Sequence, residues 1–342
     1  MLQPTPEYLL TARPAAVVRW LWSVAALIVA MVIVGGITRL TESGLSITQW
    51  KPVSGIVPPL THAQWLAEFA SYQRIPEYQQ LNRGMTLAGF KAIYFWEYIH
   101  RLLGRVIGMA FALPLIWFAI RRRIPRGYGW RLVAILALGG LQGAVGWWMV
   151  SSGLSVRTDV SHIRLAVHLL TALLILAGIV WTALDLADLA RDPLARPARL
   201  RPLAAGALLL LAAQIMFGAF TAGLDAGYAF SSWPLMGDAL FPADVPMLSP
   251  AWSNAFDNPV VVQFIHRWLA FVAAGGMFWL ALRAGRPGGT ALVLLVVLQV
   301  TLGIATLLSG VQIGIAVAHQ ANAALLLIAA VAAAHAIGAR RG

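Results

Sequence analysis

Four histidines stand out by their surroundings. His100 lies in "EYIHR" and His266 in "QFIHR"; His168 lies in "RLAVHLL" and His319 in "GIAVAHQ". Imidazole has two chemistries: a neutral ring nitrogen ligates metals, and the ring moves protons near neutral pH. Glu97 stands three residues before His100, which puts both on one helix face. A carboxylate there can stabilise a developing cation or pass protons. The matching position before His266 is Gln263, similar in shape but uncharged. Arg101 and Arg267 follow their histidines directly, where they could meet acidic groups at an outer rim or anchor the chain in the membrane.

The elements that must position these residues are membrane helices. The 342 residues are 60% hydrophobic and 11% charged, with mean hydropathy +0.76. Several apolar runs reach about 20 residues, enough to cross about 30 Å of hydrocarbon. They are continuous rather than alternating, so they read as helices and not barrel strands. The pattern predicts eight spans, roughly 17–38, 93–120, 129–150, 161–184, 201–222, 259–283, 288–309 and 312–337. This is an all-α polytopic membrane protein, and the bilayer is its first partner. The first run has no small-residue cleavage site soon after it and reads as a retained helix.

The net charge of +12 could suggest nucleic acid. Its distribution argues otherwise, because the arginines cluster in short connections: "RRRIPRGYGWR", "ARDPLARPARLR", "RAGRPG" and the terminal "ARRG". Basic short connections predict the cytoplasmic side, with both termini there too. The long connections, 40–92 and 223–258, then lie outside; connections of such length are usually functional. The chain has no cysteine, which excludes disulfides, iron–sulfur clusters and thiolate-bound metals.

The chain also repeats. Thr38, Glu42, Gly44 and Trp50 recur 183 residues later as Thr221, Asp225, Gly227 and Trp233. "EYIHR" recurs as "QFIHR" and "LQGAVG" as "LQVTLG", pairing Gln142 with Gln299. The repeat predicts two pseudo-symmetric four-helix bundles, residues 1–190 and 191–342, each holding two of the four histidines. The two halves share one orientation, as a parallel repeat does.

Ionisable groups within spans mark function. Each histidine falls about seven residues into its span, roughly 10 Å from the outer end. Two histidines on facing helices of a bundle are a standard way to hold haem iron. Zinc or copper is the alternative, but no acidic or sulfur cluster completes such a site. Glu97 without a charged counterpart suggests chemistry in the first half only, against a structural pairing with Arg101 or Arg105. His162, His62 and His335 read as surface or interfacial residues. Gln142 and Gln299, each four residues before a glycine (Gly146, Gly303), read as helix-packing or interhelical hydrogen-bond positions, and Trp147 and Trp148 as interfacial belt residues.

The segments "GGITRLTESGLSITQWKPVSGIVPP", "EFASYQRIPEYQQLNRGMTLAGFKAIYFWEYIHRLLGR" and "RLAVHLL" resemble the haem A synthase family, and "FIHRWLA" and "AVAHQ" extend the likeness to about residue 338. The absence of cysteine resembles its alphaproteobacterial and mitochondrial branch rather than the members with loop cysteine pairs. The resemblance implies an oxidoreductase of the bacterial inner membrane. It oxidises a methyl group of haem O to the formyl of haem A, for cytochrome oxidase, through successive hydroxylations. It implies that His100 and His168 flank the substrate haem, that His266 and His319 ligate a resident haem b, and that Glu97 is catalytic. Arg101 and Arg267 become candidates for the haem propionates. It also implies supply of haem O by a protohaem farnesyltransferase (haem O synthase) and work beside cytochrome oxidase assembly factors.

Two other readings remain at this level. One is a membrane b-type cytochrome passing electrons from quinol; the other is a transporter, which helices broken near the midplane would favour. The electron donor is unidentified, because no Rossmann-type glycine motif or cysteine cluster is present. The formyl oxygen could come from O₂ or from water, and the oligomeric state is open, a homo-oligomer included.

Overall fold

A computed structural model describes residues 13–339; the first twelve residues and most of the terminal "ARRG", on which the placement of the termini partly rests, lie outside the described residues. Eight helices are long and apolar enough to cross a membrane. They are α1 (Pro14–Leu40), α2 (Leu87–Ile120), α3 (Gly129–Ser151), α4 (His162–Arg191), α5 (Pro202–Gly223), α6 (Pro259–Ala284), α7 (Gly288–Leu308) and α8 (Ile313–Ala339). Among the described residues no β-strand forms; one isolated bridge pairs Met236 with Ala239.

Hydropathy locates these helices well and fails where a helix leaves the apolar layer. The α2 helix starts six residues before the predicted span. The Thr86 hydroxyl caps it by accepting from the Gly89 N–H at 3.2 Å. Its first turns pack into the long connection, where Phe90 and Tyr94 meet Trp65, Phe69 and Tyr72. The α4 helix overruns its prediction at the other end, through the polar "LDLADLAR". Pro114 lies inside α2 and does not interrupt it, so the broken helix that would favour a transporter is absent there.

Packing follows chain order. In each half consecutive helices touch, and the first also packs on the fourth: α1 on α4, α5 on α8. Contacts between the halves run through α1, α4, α5 and α8. The core that joins them is apolar, with Leu21, Val24, Leu176, Ile179, Leu280 and Ala330 wholly or almost wholly buried. Polar ties also join the halves, among them Gln320 donating to the Val32 carbonyl at 2.8 Å and Arg39 pairing with Asp225 at 2.9 Å.

The long connections are built, not slack. Residues 41–86 carry helices His62–Tyr72 and Pro76–Gln80. The first opens with a capping box between Thr61 and Gln64. Glu42 and Asp225, repeat-related, both adopt left-handed backbone (φ 50° and 51°) where α1 and α5 end.

Candidate functional site

The four histidines project from the four even-numbered helices, and each ring lies close against a glycine of the preceding odd-numbered one. Gly35 faces His100, Gly146 faces His168, Gly218 faces His266 and Gly303 faces His319. A Cβ on Gly146, Gly218 or Gly303 would stand 2.9 Å from its histidine's Cε1, closer than real contacts allow. Only glycine admits the ring there. Gly35, Gly218 and Gln214 are the site residues that sequence reasoning missed, whereas Gly146 and Gly303 read from sequence as packing positions and stand against the histidines. The signal was present: "QGAVG", "QIMFG" and "QVTLG" share a Gln four residues before a Gly.

Three of the rings are also held by an amide. Gln142 lies 3.1 Å from His168 Nδ1 and donates to the His168 carbonyl at 2.9 Å. Gln214 does the same to His266, both contacts at 3.0 Å. Gln299 Nε2 lies 3.3 Å from both ring nitrogens of His319, and the side chain is itself fixed by Asn322, which donates to Gln299 Oε1 at 2.7 Å. The interhelical role expected of Gln142 and Gln299 is therefore directed at the histidines themselves.

The histidines pair within halves. His100 and His168 are near enough to interact electrostatically, as are His266 and His319. All four histidines are partly accessible although their helices are packed. Among the described residues no group of three or more His, Cys, Asp or Glu could hold a bare metal ion. Two imidazoles and no further protein ligand suit an iron whose remaining ligands come from a porphyrin. Each glutamine amide nitrogen donates to its histidine's own carbonyl and lies against the ring, which fixes where the ring sits. The residues present thus fit haem.

Above these pairs the two halves share a second device. Arg101 donates to the carbonyls of Ile47 (2.7 Å) and Gln49 (3.0 Å). Arg267 donates to those of Phe230 (2.8 Å) and Ser232 (2.9 Å). Ile47 and Phe230 are 183 residues apart, as are Gln49 and Ser232. Each arginine pins the connection after α1 or α5 down over its histidines, so neither serves as a membrane anchor. Arg105 also binds loop carbonyls, those of Lys51 and Pro52, which leaves Arg101 as the partner of Glu97.

Glu97 is buried, at 3% exposure, and its oxygens are fully engaged. Arg101 donates to Oε1 at 2.6 and 2.9 Å; the Ser46 hydroxyl and the Ile47 N–H donate to Oε2 at 2.7 Å. Gln263 stands in the same place without charge: its amide donates to the Phe230 carbonyl and its oxygen accepts from Arg267. The pairing with Arg101 weighed from sequence is present, and the carboxylate also ties the loop.

The remaining expectations divide. His62 is exposed. His162 is not a surface residue. It is 4% exposed, wedged against Gly223 and Phe220, with Nε2 3.2 Å from Asp257. His335 is equally buried, because α8 is enclosed to its end. Its Nε2 lies 2.9 Å from Asp185, which also binds Arg131 and the Ala198 N–H. Trp148 faces outward beneath Arg164, as a belt residue does, whereas Trp147 stacks on Trp50 of the first connection at 5.8 Å.

Residues 18–331 match the model of a family described as cytochrome oxidase assembly protein. A haem A synthase of Rhizorhabdus wittichii is 61% identical over 327 residues, covering 94% of both chains. One of Sphingopyxis alaskensis is 56% identical over 332 residues, covering 96% of this chain and 94% of the relative. A third, of Rhodospirillum centenum, is 53% identical over 92% of this chain and 86% of its own. A match along nearly the whole length, at such identity, makes this chain a member of the cytochrome oxidase assembly family to which these haem A synthases belong.

Proposed function

We infer that the protein is a membrane-bound haem A synthase, an oxidoreductase that converts a methyl group of haem O to the formyl of haem A. The observation that carries this reading is the doubled histidine pair with a charged carboxylate in one half only, in a chain so similar to proteins of that name. In this reading the halves divide the work. His100 and His168 bind the substrate haem in residues 1–190. His266 and His319 hold a resident haem b in residues 191–342, which when bound relays electrons.

Each residue then has a task. Gln214 and Gln299 keep the His266 and His319 rings aimed inward, so the resident group stays. Gly146, Gly218 and Gly303 set the depth of the rings. Arg101 and Arg267 close the connections over the two sites and hold positive charge near their outer rim, where acidic side groups of a porphyrin would lie. Glu97 keeps a negative charge beside His100, able to stabilise positive charge developing on the substrate. Gln263 supports the claim that this charge is not needed for structure, since the same clamp closes in the second half without it.

The arginine-rich connections favour placing 121–128 and 192–201 in the cytoplasm and both sites toward the outer face of the bacterial inner membrane. Haem O would then come from a farnesyltransferase in the same membrane. The test is conversion: membranes from cells that make haem O, with and without this protein, are extracted and their haems weighed. Appearance of haem A only with the protein supports the reading; haem O unchanged at full protein level rejects it.

A further inference from the structure

The first connection carries an uncharged run that the second does not. No Asp, Glu, Lys or Arg stands between Lys51 and Glu68. Within it Val53, Val57 and Leu60 are 77%, 62% and 75% exposed. In water this would be an apolar patch of the kind that marks a contact surface. Its height along α2 shows what it meets. Arg105 donates to the carbonyls of Lys51 and Pro52, both at 2.8 Å, and the Tyr98 hydroxyl donates to that of Ile56 at 2.7 Å. Tyr98 and Arg105 share a helix row and stand about 10 Å apart along the axis, with His100 between them. The run therefore descends beside α2 over the turns that carry His100. The neighbouring row of α2, Phe95, Val106, Met109 and Leu113, is exposed and apolar, as a lipid-facing row is.

The backbone is prepared for the same surroundings. A chain at the edge of hydrocarbon must pair its polar groups within the protein. Besides the three carbonyls held by α2, the Gly55 N–H donates to Lys51 at 3.1 Å and the Ile56 N–H to Val53 at 3.3 Å. Leu60 and Thr61 donate to Gln64 Oε1 at 2.7 and 3.0 Å. Pro52, Pro58 and Pro59 have no N–H to satisfy. Lys51, where the run begins, is paired with Glu68 at 2.8 Å.

The second half is built otherwise. Trp50 stacks on Trp147 of α3, so the first run crosses from α3 to α2; its repeat mate Trp233 stacks on Trp268 and Phe271 of α6. Three residues on from Trp50 is the exposed Val53. Three residues on from Trp233 is Met236, 2% exposed, and then the exposed Asp238. We propose that residues 53–60 lie in the outer leaflet of the bilayer, against lipid hydrocarbon, while the second connection stays in water. The first half is then bordered by lipid on the side between α2 and α3. This contact goes beyond the assignment of the haems and does not depend on it. Where that assignment holds, a substrate with an isoprenoid tail meets lipid, not water, at the border of its site.

The chain has no cysteine, so single cysteines can be placed cleanly. Val57→Cys and Leu60→Cys are compared with Met109→Cys on the lipid-facing row and Asp238→Cys on the second connection. Each purified full chain, with its haems, is spin-labelled and set in phosphatidylcholine nanodiscs. Collisions of the label with oxygen, which concentrates in lipid, and with a water-soluble nickel chelate are read by power saturation of the spin resonance. Haem count and elution volume equal to wild type identify folded variants. The oxygen-to-nickel ratio should be low at position 238 and shift to the high value of position 109 at both 57 and 60. Frequent nickel collisions at 57 and 60 place the run in water and overturn the proposal. Rare collisions with both reagents mean that protein covers the run, a second copy of the chain included, and overturn it equally. A label at 238 that matches the one at 109 overturns the contrast between the halves.

Discussion

Arg101 donates to the carboxylate of Glu97 at 2.6 Å, one turn back along the same helix, and the pair together holds Ser46, Ile47 and Gln49 of the first connection. An exposed i,i+4 pair would contribute a few tenths of a kcal/mol. This one is buried and tied to backbone, so it fixes a loop over the site. Arg267 and Gln263 accomplish the same closure without an anion.

Glu97→Gln should therefore fold, keep its first connection in place and keep its full complement of haem b. Turnover of haem O should fall about 100-fold, within the range for loss of a positioned acid–base or charged group. Turnover within twofold of wild type would assign Glu97 to the clamp alone.

The glycine seats give a sharper structural test. Gly218→Ala places a methyl 2.9 Å from His266 Cε1, in a spot bounded by packed helices. The ring must shift, and the resident haem should be lost or markedly depleted while the substrate site is spared. Measurement of haem b per chain, with Gly206→Ala as a control where a Cβ meets nothing within 4 Å, checks this. Equal haem content in the two variants would show that the second half tolerates displacement of its ligand.

A pH dependence follows from the first connection. Glu77 is 3% exposed and accepts from the Tyr72 hydroxyl at 2.8 Å. Burial pushes its carboxyl up to about 8 from an ordinary 4.5. The folded loop then binds a proton that the unfolded chain releases above about 4.5, so stability falls as pH rises from there through about 8. Glu77→Gln keeps a neutral side chain throughout. Its thermal midpoint relative to wild type should rise steadily between pH 5 and 8.5, and a difference independent of pH would show that Glu77 is not protonated in the fold.

Much of this architecture was legible from the residues. Eight apolar runs gave eight helices, because nothing but a helix satisfies a single spanning segment's backbone in lipid. The repeat paired His100 with His266 and His168 with His319. What escaped was local and polar. The clamp of Arg101 on Ile47 depends on backbone carbonyls, which every residue possesses and no sequence pattern marks. His335 seemed interfacial because it lies near the end of the chain, yet α8 is enclosed to its tip and Asp185 waits there on α4. The helices 62–72 and 76–80 were hidden because they lie outside the apolar layer, where hydropathy carries no signal.

The most direct test compares the haems of three purified proteins: wild type, His266→Ala and His100→Ala. Wild type should carry haem b together with some haem O or haem A. His266→Ala should lose haem b selectively, and His100→Ala should keep haem b while haem A formation stops. Haem b alone, shared by both halves and unaltered in cells that make haem O, would contradict a synthase built from one working half and one relay.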